Sequence, residues 1–310
     1  MKTMRYFYQH THTLALAMIF TLIMGIAYQN AEAEAWPPEL GEKNIVYLVG
    51  PWDTGASISY LGKILLEQMG YNIDIKRLDT GLAYQALATG SGDIWSSGYL
   101  PGQHSYVLKH KDKMNLLSMS YMPVYSGFIV PDYMPISHID DLKKPEIKKL
   151  LGGRIIGLDA GSGVMMAAEK AVKAYGIDYE VIAGSSPAME ASFQAAYLKQ
   201  DPIVVIGWCP TAMCAKFGVK LLEEPKGIMA SSQDFHVVRS GFRSDFPRAA
   251  ALLSRLTLHE NQISEMVLMT REKGSTPEKA AQQFIDQNPE LIWFWAGDLI
   301  PNLPMPDSIK

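Results

Sequence analysis

The sequence lacks any block of basic residues and contains few cysteines. Lysine and arginine number 28 against 32 aspartates and glutamates, which gives a formal net charge of -4. Nucleic-acid binding is therefore not expected, because it needs a clustered positive surface. The cysteines are Cys209 and Cys214, with no cluster of histidine or further cysteine beside them, so we expect no metal site and no cofactor. This pair either closes a disulfide in an oxidising compartment or packs as two small apolar residues.

The common catalytic motifs are also missing. The chain has no Gly-x-Ser-x-Gly elbow, no His-Glu-x-x-His, no P-loop and no complete Gly-x-Gly-x-x-Gly after a strand. Gly161-Ser162-Gly163 resembles the start of the last motif but lacks its downstream glycine. We therefore expect that the chain is not an enzyme. One alternative is an extracytoplasmic enzyme that uses Cys209 as its nucleophile.

The N-terminal apolar run is shorter than an ordinary membrane span. Residues 14–27 are largely apolar, follow Lys2 and Arg5, and precede the small-residue sites 31–33 and 33–35. A membrane helix needs ~20 such residues, whereas a positive start, a short apolar run and small residues at the cleavage site are typical of a secretory signal peptide. We predict a cleavable signal peptide over residues 1–35 and a periplasmic mature protein, with an uncleaved anchor as the alternative.

Strand and helix patterns alternate from residue 44 onward, which predicts an α/β protein. The pattern runs through one segment and then starts again, so we expect lobe 1 over residues 36–125 and 237–310, and lobe 2 over residues 126–236. Two extended segments, Tyr125–Val130 and Phe235–Arg239, fit strands that cross between the lobes. Paired crossovers of this kind form a hinge, the architecture of proteins that close on a ligand.

Three strand-like runs end on aromatic residues followed at once by turn residues. They are Ile45–Trp52, Ile94–Pro101, which carries Trp95 and Tyr99, and Ile203–Pro210, which carries Trp208. Ligands of open α/β sheets bind at the carboxyl ends of the strands. Aromatic faces gathered there favour a soft cation such as a quaternary ammonium group, which has no N–H for a hydrogen bond to select.

A zwitterionic ligand also needs a site for its anion. The helix that begins near Gly163 and Val164 offers free backbone N–H groups at its positive end. His104, five residues after Tyr99, is a candidate side-chain donor or else an ordinary surface histidine.

Four stretches of the chain resemble a known family. They are Val49–Asp53, Tyr99–His104, Gly157–Val164 and Ile206–Pro210, and the similarity extends over nearly all of the mature chain. They resemble the substrate-binding proteins of ABC transporters for glycine betaine and related osmoprotectants. The resemblance implies a two-lobed periplasmic binding protein fold, type II-like, with two crossover hinge segments. It also implies a monomer that delivers its ligand to a permease in the inner membrane.

The resemblance assigns roles to individual residues. It places Trp52, Tyr99 and Trp208 as an aromatic cage around the quaternary ammonium, and the backbone amides of Gly163 and Val164 against the carboxylate. His104 would hold the same carboxylate.

The chain departs from the family pattern at two places. Tyr99 stands where the family has a tryptophan, with Trp95 four residues earlier as a further candidate wall. Cys209-Pro210-Thr211-Ala212 replaces a stretch that normally carries a histidine and a tryptophan. The ligand therefore stays open among glycine betaine, trimethylamine N-oxide, dimethylsulfoniopropionate, choline and carnitine. A binding protein for an amino acid-like ligand is the alternative.

Overall fold

Two β-sheets share one long strand. We describe residues 36–310 from a computed structural model, and the predicted signal peptide lies outside the described residues. In chain order the strands are β1 (Asn44–Val49), β2 (Asn72–Arg77), β3 (Ile94–Trp95), β4 (Met114–Pro131), β5 (Arg154–Ile156), β6 (Glu180–Ile182), β7 (Val205–Cys209), β8 (Val219–Leu221), β9 (Ser232–Arg239) and β10 (Leu258–His259).

The helices fill the connections between these strands. They are α1 (Asp53–Gln68), α2 (Thr80–Thr89), α3 (His104–Lys109), α4 (Pro145–Leu150), α5 (Gly163–Tyr175), α6 (Ser186–Lys199), α7 (Ala212–Lys216), α8 (Phe242–Asp245), α9 (Pro247–Leu253), α10 (Glu260–Met269), α11 (Pro277–Gln287) and α12 (Pro289–Ala296), with a 3-10 turn at Ile139–Lys143. None of the helices in residues 36–310 combines the length and the apolar character needed to cross a membrane.

The first sheet has the order β2-β1-β3-β9-β4. Strands β1, β2 and β3 are parallel, β9 runs antiparallel to both β3 and β4, and β10 pairs with β4. β1 has the composition expected of a central parallel strand, because helices cover both faces of such a sheet and its residues are apolar in near-continuous runs. Tyr47, Leu48 and Val49 are accordingly buried. Helix α1 follows at once and packs with α10 and α11 from the end of the chain.

The second sheet is built on the last third of β4. Residues Tyr125–Ile129 pair antiparallel with β7, which leads through parallel pairings to β5 and β6, and residues 129–131 pair with β8. The predicted strand at Leu116–Val124 and the predicted crossover at Tyr125–Val130 are thus one strand that passes from sheet to sheet. Phe235–Arg239 lies wholly in the first sheet, so the return connection lies before Ser232.

The larger of two apolar core clusters in residues 36–310 runs beneath both sheets. It includes Tyr47 and Trp95 from the first sheet together with Ile155 and Ile206 from the second. Residues 40–310 form a single compact unit. The predicted division into lobe 1 (36–125 and 237–310) and lobe 2 (126–236) remains a prediction.

Candidate functional site

A cavity of about 420 Å³ is lined by residues from the connections of both sheets. Trp52 and Tyr99 come from the first sheet, and Trp208, Gly163 and Val164 from the second. The full lining is Trp52, Tyr99, Pro101, Gly102, Gln103, Ser105, Val124, Ser126, Leu158, Ser162, Gly163, Val164, Met166, Ala167, Lys170, Trp208, Ile228, Met229, Ala230 and Ser232. Five of the seven residues singled out from the sequence therefore meet in one place.

Three aromatic rings meet in this wall. The centroid of Trp52 lies 6.1 Å from that of Tyr99 and 6.4 Å from that of Trp208, and Tyr99 and Trp208 are 6.4 Å apart. Their planes are inclined at 57°, 85° and 48°, so they do not stack. Centroids this close put the rings in contact with one another, so a cation on their cavity side can lie within the ~6 Å range over which each ring attracts it. The three rings together present aromatic surface to this part of the cavity.

The two indole rings are positioned near the ends of strands. Trp52 is the residue before α1, two positions after a glycine that would collide with its ring if it carried a Cβ. Trp208 is the fourth residue of β7 and pairs with Ser126 of β4. Both indoles are almost fully buried.

The hydroxyl of Tyr99 joins the cage to the first sheet. It accepts hydrogen bonds from Trp52 Nε1 at 3.1 Å and from the Tyr121 hydroxyl at 3.0 Å, and it lies 3.2 Å from Thr54 Oγ1. Burial raises the pKa of Tyr99 well above its ordinary value, with a further contribution from the charge of Asp234. The phenol therefore stays neutral at physiological pH, and it is fixed in place by its partners.

Trp95 does not line the cavity. It is fully buried and meets Trp52 edge-on, with 5.8 Å between centroids and 84° between planes. Strand β3 ends at Trp95, so the alternation that would have put positions 95 and 99 on one face does not continue to Tyr99. Trp95 is a buttress beneath Trp52 and not a wall of the cavity.

The N-terminus of α5 forms another part of the wall. Ser162 caps this helix by accepting a hydrogen bond from Met165 N at 3.4 Å, and Gly163 and Val164 follow it on the cavity surface. A Cβ on Gly163 would lie 2.8 Å from the carbonyl carbon of Gly102, across the cavity wall. Only glycine permits this approach, which brings the positive end of the helix dipole to the site.

His104 does not line the cavity, whereas its neighbours Gln103 and Ser105 do. His104 is the first residue of α3 and is exposed. Gln103 is buried and accepts a hydrogen bond from the Tyr84 hydroxyl at 2.9 Å through Oε1, which leaves its NH2 group as the donor. Sequence reasoning missed Gln103, although it lies in the same Tyr99–His104 stretch. The pattern marked the segment but not which side chain faces inward.

Polar contacts connect the two sides of the cavity. The Tyr106 hydroxyl donates to the Gly161 carbonyl at 2.9 Å. Asp53 Oδ2 accepts from the Ala212 backbone at 3.3 Å and from Arg271 at 3.2 Å, and Arg271 also pairs with Glu190 at 2.7 Å. Since Asp53 is the first residue of α1 and Glu190 lies on α6, Arg271 bridges elements of the two sheets.

Glu190 is the titratable residue of this bridge. Burial first, and the nearby charge of Asp53 second, raise its pKa to about 7 against the opposing effect of Arg271. The carboxyl therefore changes its charge close to neutral pH.

Cys209 and Cys214 are joined by a disulfide directly after Trp208. The sequence left this pairing open. Because these are the two cysteines of the chain, no free thiol is available as a nucleophile.

Comparison with known proteins gives a consistent result. Residues 43–287 match the family described as the substrate binding domain of ABC-type glycine betaine transport systems. The glycine betaine/carnitine transport binding protein of Listeria monocytogenes is 33% identical over 156 residues, which cover 49% of this chain and 52% of that protein. The chain thus aligns with about half the length of this curated relative.

Solved structures resemble the fold over a longer span. The glycine betaine/L-proline-binding protein from Borrelia burgdorferi is 28% identical with a TM-score of 0.79, covering 84% of this chain and 99% of that one. The lactococcal protein in its closed conformation with glycine betaine is also 28% identical, with a TM-score of 0.76 and coverage of 82% and 100%. These matches confirm the predicted fold class, a two-lobed α/β binding-protein fold.

Proposed function

The chain belongs to the family of substrate binding domains of ABC-type glycine betaine transport systems, and from that premise we propose that it is the solute-binding component of an ABC importer. Its ligand is a small methylated onium compound of the glycine betaine, trimethylamine N-oxide, dimethylsulfoniopropionate, choline or carnitine type. The observation that carries the proposal is the triangle of Trp52, Tyr99 and Trp208 in the cavity wall. Membership of a family of binding domains agrees with the expectation that the chain is not an enzyme.

The three rings select a cation without hydrogen bonding to it. Each aromatic face contributes roughly 0.5–2 kcal/mol to the binding of a desolvated cation. A methylated onium group has no N–H, so an ammonium-binding carboxylate is not needed. Among the described residues that line the cavity none is an aspartate or glutamate, which disfavours an amino acid-like ligand with a primary ammonium group.

The helix start supplies the complementary site for an anion. We assign the carboxylate of a betaine to the backbone N–H groups of Gly163 and Val164, which are unused by the helix and lie at its positive end. Gln103 takes the side-chain donor role predicted for His104, because it lines the cavity and Tyr84 already occupies its Oε1, which leaves its NH2 group to donate.

The thiol-enzyme alternative is disfavoured by the disulfide, which consumes both sulfur atoms. We propose instead that binding closes two lobes, residues 36–125 and 237–310 against residues 126–236, around the ligand. The bridge of Asp53, Arg271 and Glu190 then belongs to the closed form. The proposal includes export through a cleavable signal peptide, a periplasmic location, a monomeric state and delivery to an inner-membrane permease.

Calorimetric titration of the purified mature protein tests the proposal. The five onium compounds are titrated beside glycine and L-proline as ligands without a quaternary nitrogen. We expect at least one onium compound to bind, and to bind more tightly than glycine. Failure of all five to bind, or a preference for glycine over glycine betaine, would refute the proposed function.

Replacing Trp208 by alanine tests the cage. Loss of one face corresponds to roughly a 2- to 30-fold weaker affinity for the best onium ligand. Trp208→Phe keeps a face and should lose less. Phe294→Ala is the matched control, because its ring is 73% exposed and lies outside the cavity. Unchanged affinity in a folded Trp208→Ala protein would show that this ring is not a cage wall.

A further inference from the structure

The cavity continues along helix α5 well past the site described for the betaine carboxylate. Gly163, Met166, Ala167 and Lys170 all line it, which is the i, i+3, i+4, i+7 stripe of one helix face. Because an α-helix rises 1.5 Å per residue, Lys170 lies about 10 Å along the axis from Gly163. The cavity volume of about 420 Å³ falls in the ~300–1,000 Å³ range that encloses drug-sized ligands, larger than trimethylated glycine requires.

The extension is apolar and ends at a single cation. Its apolar lining includes Met166 and Ala167 of α5 together with Ile228 and Met229 from the connection that precedes β9. Lys170 is exposed, and among residues 36–310 no ion pair or hydrogen bond engages its ammonium group. It is also the one charged side chain among the described residues that line the cavity. An unpaired cation at the end of an apolar channel is complementary to an anion on an apolar chain.

We propose that this site takes elongated zwitterions, in which a trimethylammonium group is joined by an apolar chain to an anionic group that pairs with Lys170. The inference rests on the proposed function, because the cage must hold the onium end. Lysine side chains on a helix lean toward its N-terminus, so the ammonium group reaches the anion about 5–10 Å beyond Gly163. Three chain bonds extend ~3.3–3.6 Å, so the spacer carries about five to nine methylene groups.

Lys170 acts in this scheme as a determinant of ligand length. Short betaines place their carboxylate at Gly163 and Val164 and do not reach it. Longer acids pass over Met166 and Ala167, bury their methylene groups there, and form a charge-assisted contact with Lys170.

The test is calorimetric titration with trimethylammonio carboxylates of one, three, five and seven methylene groups. Hexyltrimethylammonium serves as the chain without an anion. Lys170→Gln removes the charge, and Lys173→Gln is the control, because it is exposed on the same helix and does not line the cavity. We expect Lys170→Gln to weaken the five- and seven-methylene acids about 5- to 20-fold, and to change glycine betaine and hexyltrimethylammonium less than about twofold.

A second variant, Ala167→Leu, fills the channel and should weaken the long acids while sparing glycine betaine. The inference is overturned if the long acids bind the wild-type protein more than about tenfold weaker than glycine betaine. It is also overturned if Lys170→Gln affects every ligand equally. Failure of the whole series, glycine betaine included, together with the rest of the onium panel, refutes the proposed function itself. Binding of the short ligands alone refutes only the elongated site.

Discussion

Replacing Glu190 by glutamine is expected to abolish a pH dependence of ligand affinity. Arg271 lies 2.7 Å from Glu190 and 3.2 Å from Asp53, so two carboxylates and one guanidinium meet at one point. Burial first, and Asp53 second, raise the pKa of Glu190 to about 7. Under the proposed closure, the lobes separate when the ligand leaves, so water reaches the carboxyl and its pKa falls toward the ordinary value of ~4.3.

The sign follows from proton linkage. Between the open-state and closed-state pKa values the closed form binds more protons, so closure and ligand affinity are favoured by acid. With a closed-state pKa of about 7, acidification from about pH 8 to about pH 6 strengthens closure by up to about 1.4 kcal/mol, or roughly tenfold in affinity. Arg271 alone would suggest the opposite sign, but its side chain is 48% exposed and its attraction is screened.

The assay is titration of wild type, Glu190→Gln and a control with choline, which has no group that titrates in this range. Glutamine keeps the shape of glutamate and an acceptor for Arg271, so Glu190→Gln should hold the acid-form affinity throughout. Glu169→Gln is the control, since that residue is exposed on α5. Wild-type affinity that is flat from about pH 6 to about pH 8, or an equal slope in Glu190→Gln, would contradict the reasoning.

Three further substitutions test the close approach at Gly163, the support that Trp95 gives to Trp52, and the stability cost of the buried His236. Gly163→Ala places a Cβ 2.8 Å from the Gly102 backbone, so we expect at least a tenfold (~1.4 kcal/mol) loss of onium affinity with little loss of stability. Gly184→Ala is the control, because that position has room for a Cβ. Equal affinities in the two variants would disprove the steric argument. Trp95→Phe should lower the free energy of unfolding by about 1–3 kcal/mol in chemical denaturation, while ligand affinity stays within about threefold. A loss of affinity as large as that of Trp208→Ala would instead show that Trp95 is a wall of the cavity. Burial lowers the pKa of His236 to about 4. On acidification the unfolded chain therefore binds the proton first, and this residue lowers the free energy of unfolding by about 2–3 kcal/mol between about pH 7 and pH 4.5. Chemical denaturation of His236→Gln should show a smaller loss of stability over this pH range.

Much of the architecture follows from local patterns. β1 was recognisable because a central parallel strand is buried on both faces and is written as an apolar run. The aromatic residues Trp52 and Trp208 were found in the same way, since each comes at or near the end of such a run. β4 was harder, because a strand that changes sheets carries no sequence signal at the point where its partner changes from β9 to β7.

The side-chain directions were less accessible. From the sequence, Trp95 and Tyr99 were both plausible walls of the cavity, because the end of β3 could not be located. The structure ends β3 at Trp95, and of the two rings only Tyr99 lines the cavity. His104 and Gln103 are adjacent in the chain. The backbone conformation at the start of α3 places Gln103 in the interior and leaves His104 in solvent.

The sequence by itself determined the α/β class, the strand ends that carry the rings, and the glycine at the start of α5. These are local properties, because hydrophobic periodicity and turn chemistry act between residues close together in the chain. Tertiary structure alone decided that Trp52, Tyr99 and Trp208 meet within 6.4 Å, that Arg271 bridges Asp53 and Glu190, and that one face of α5 continues the cavity as far as Lys170. Such contacts join residues far apart in the chain, and their geometry is set by how the two sheets pack and not by any one segment.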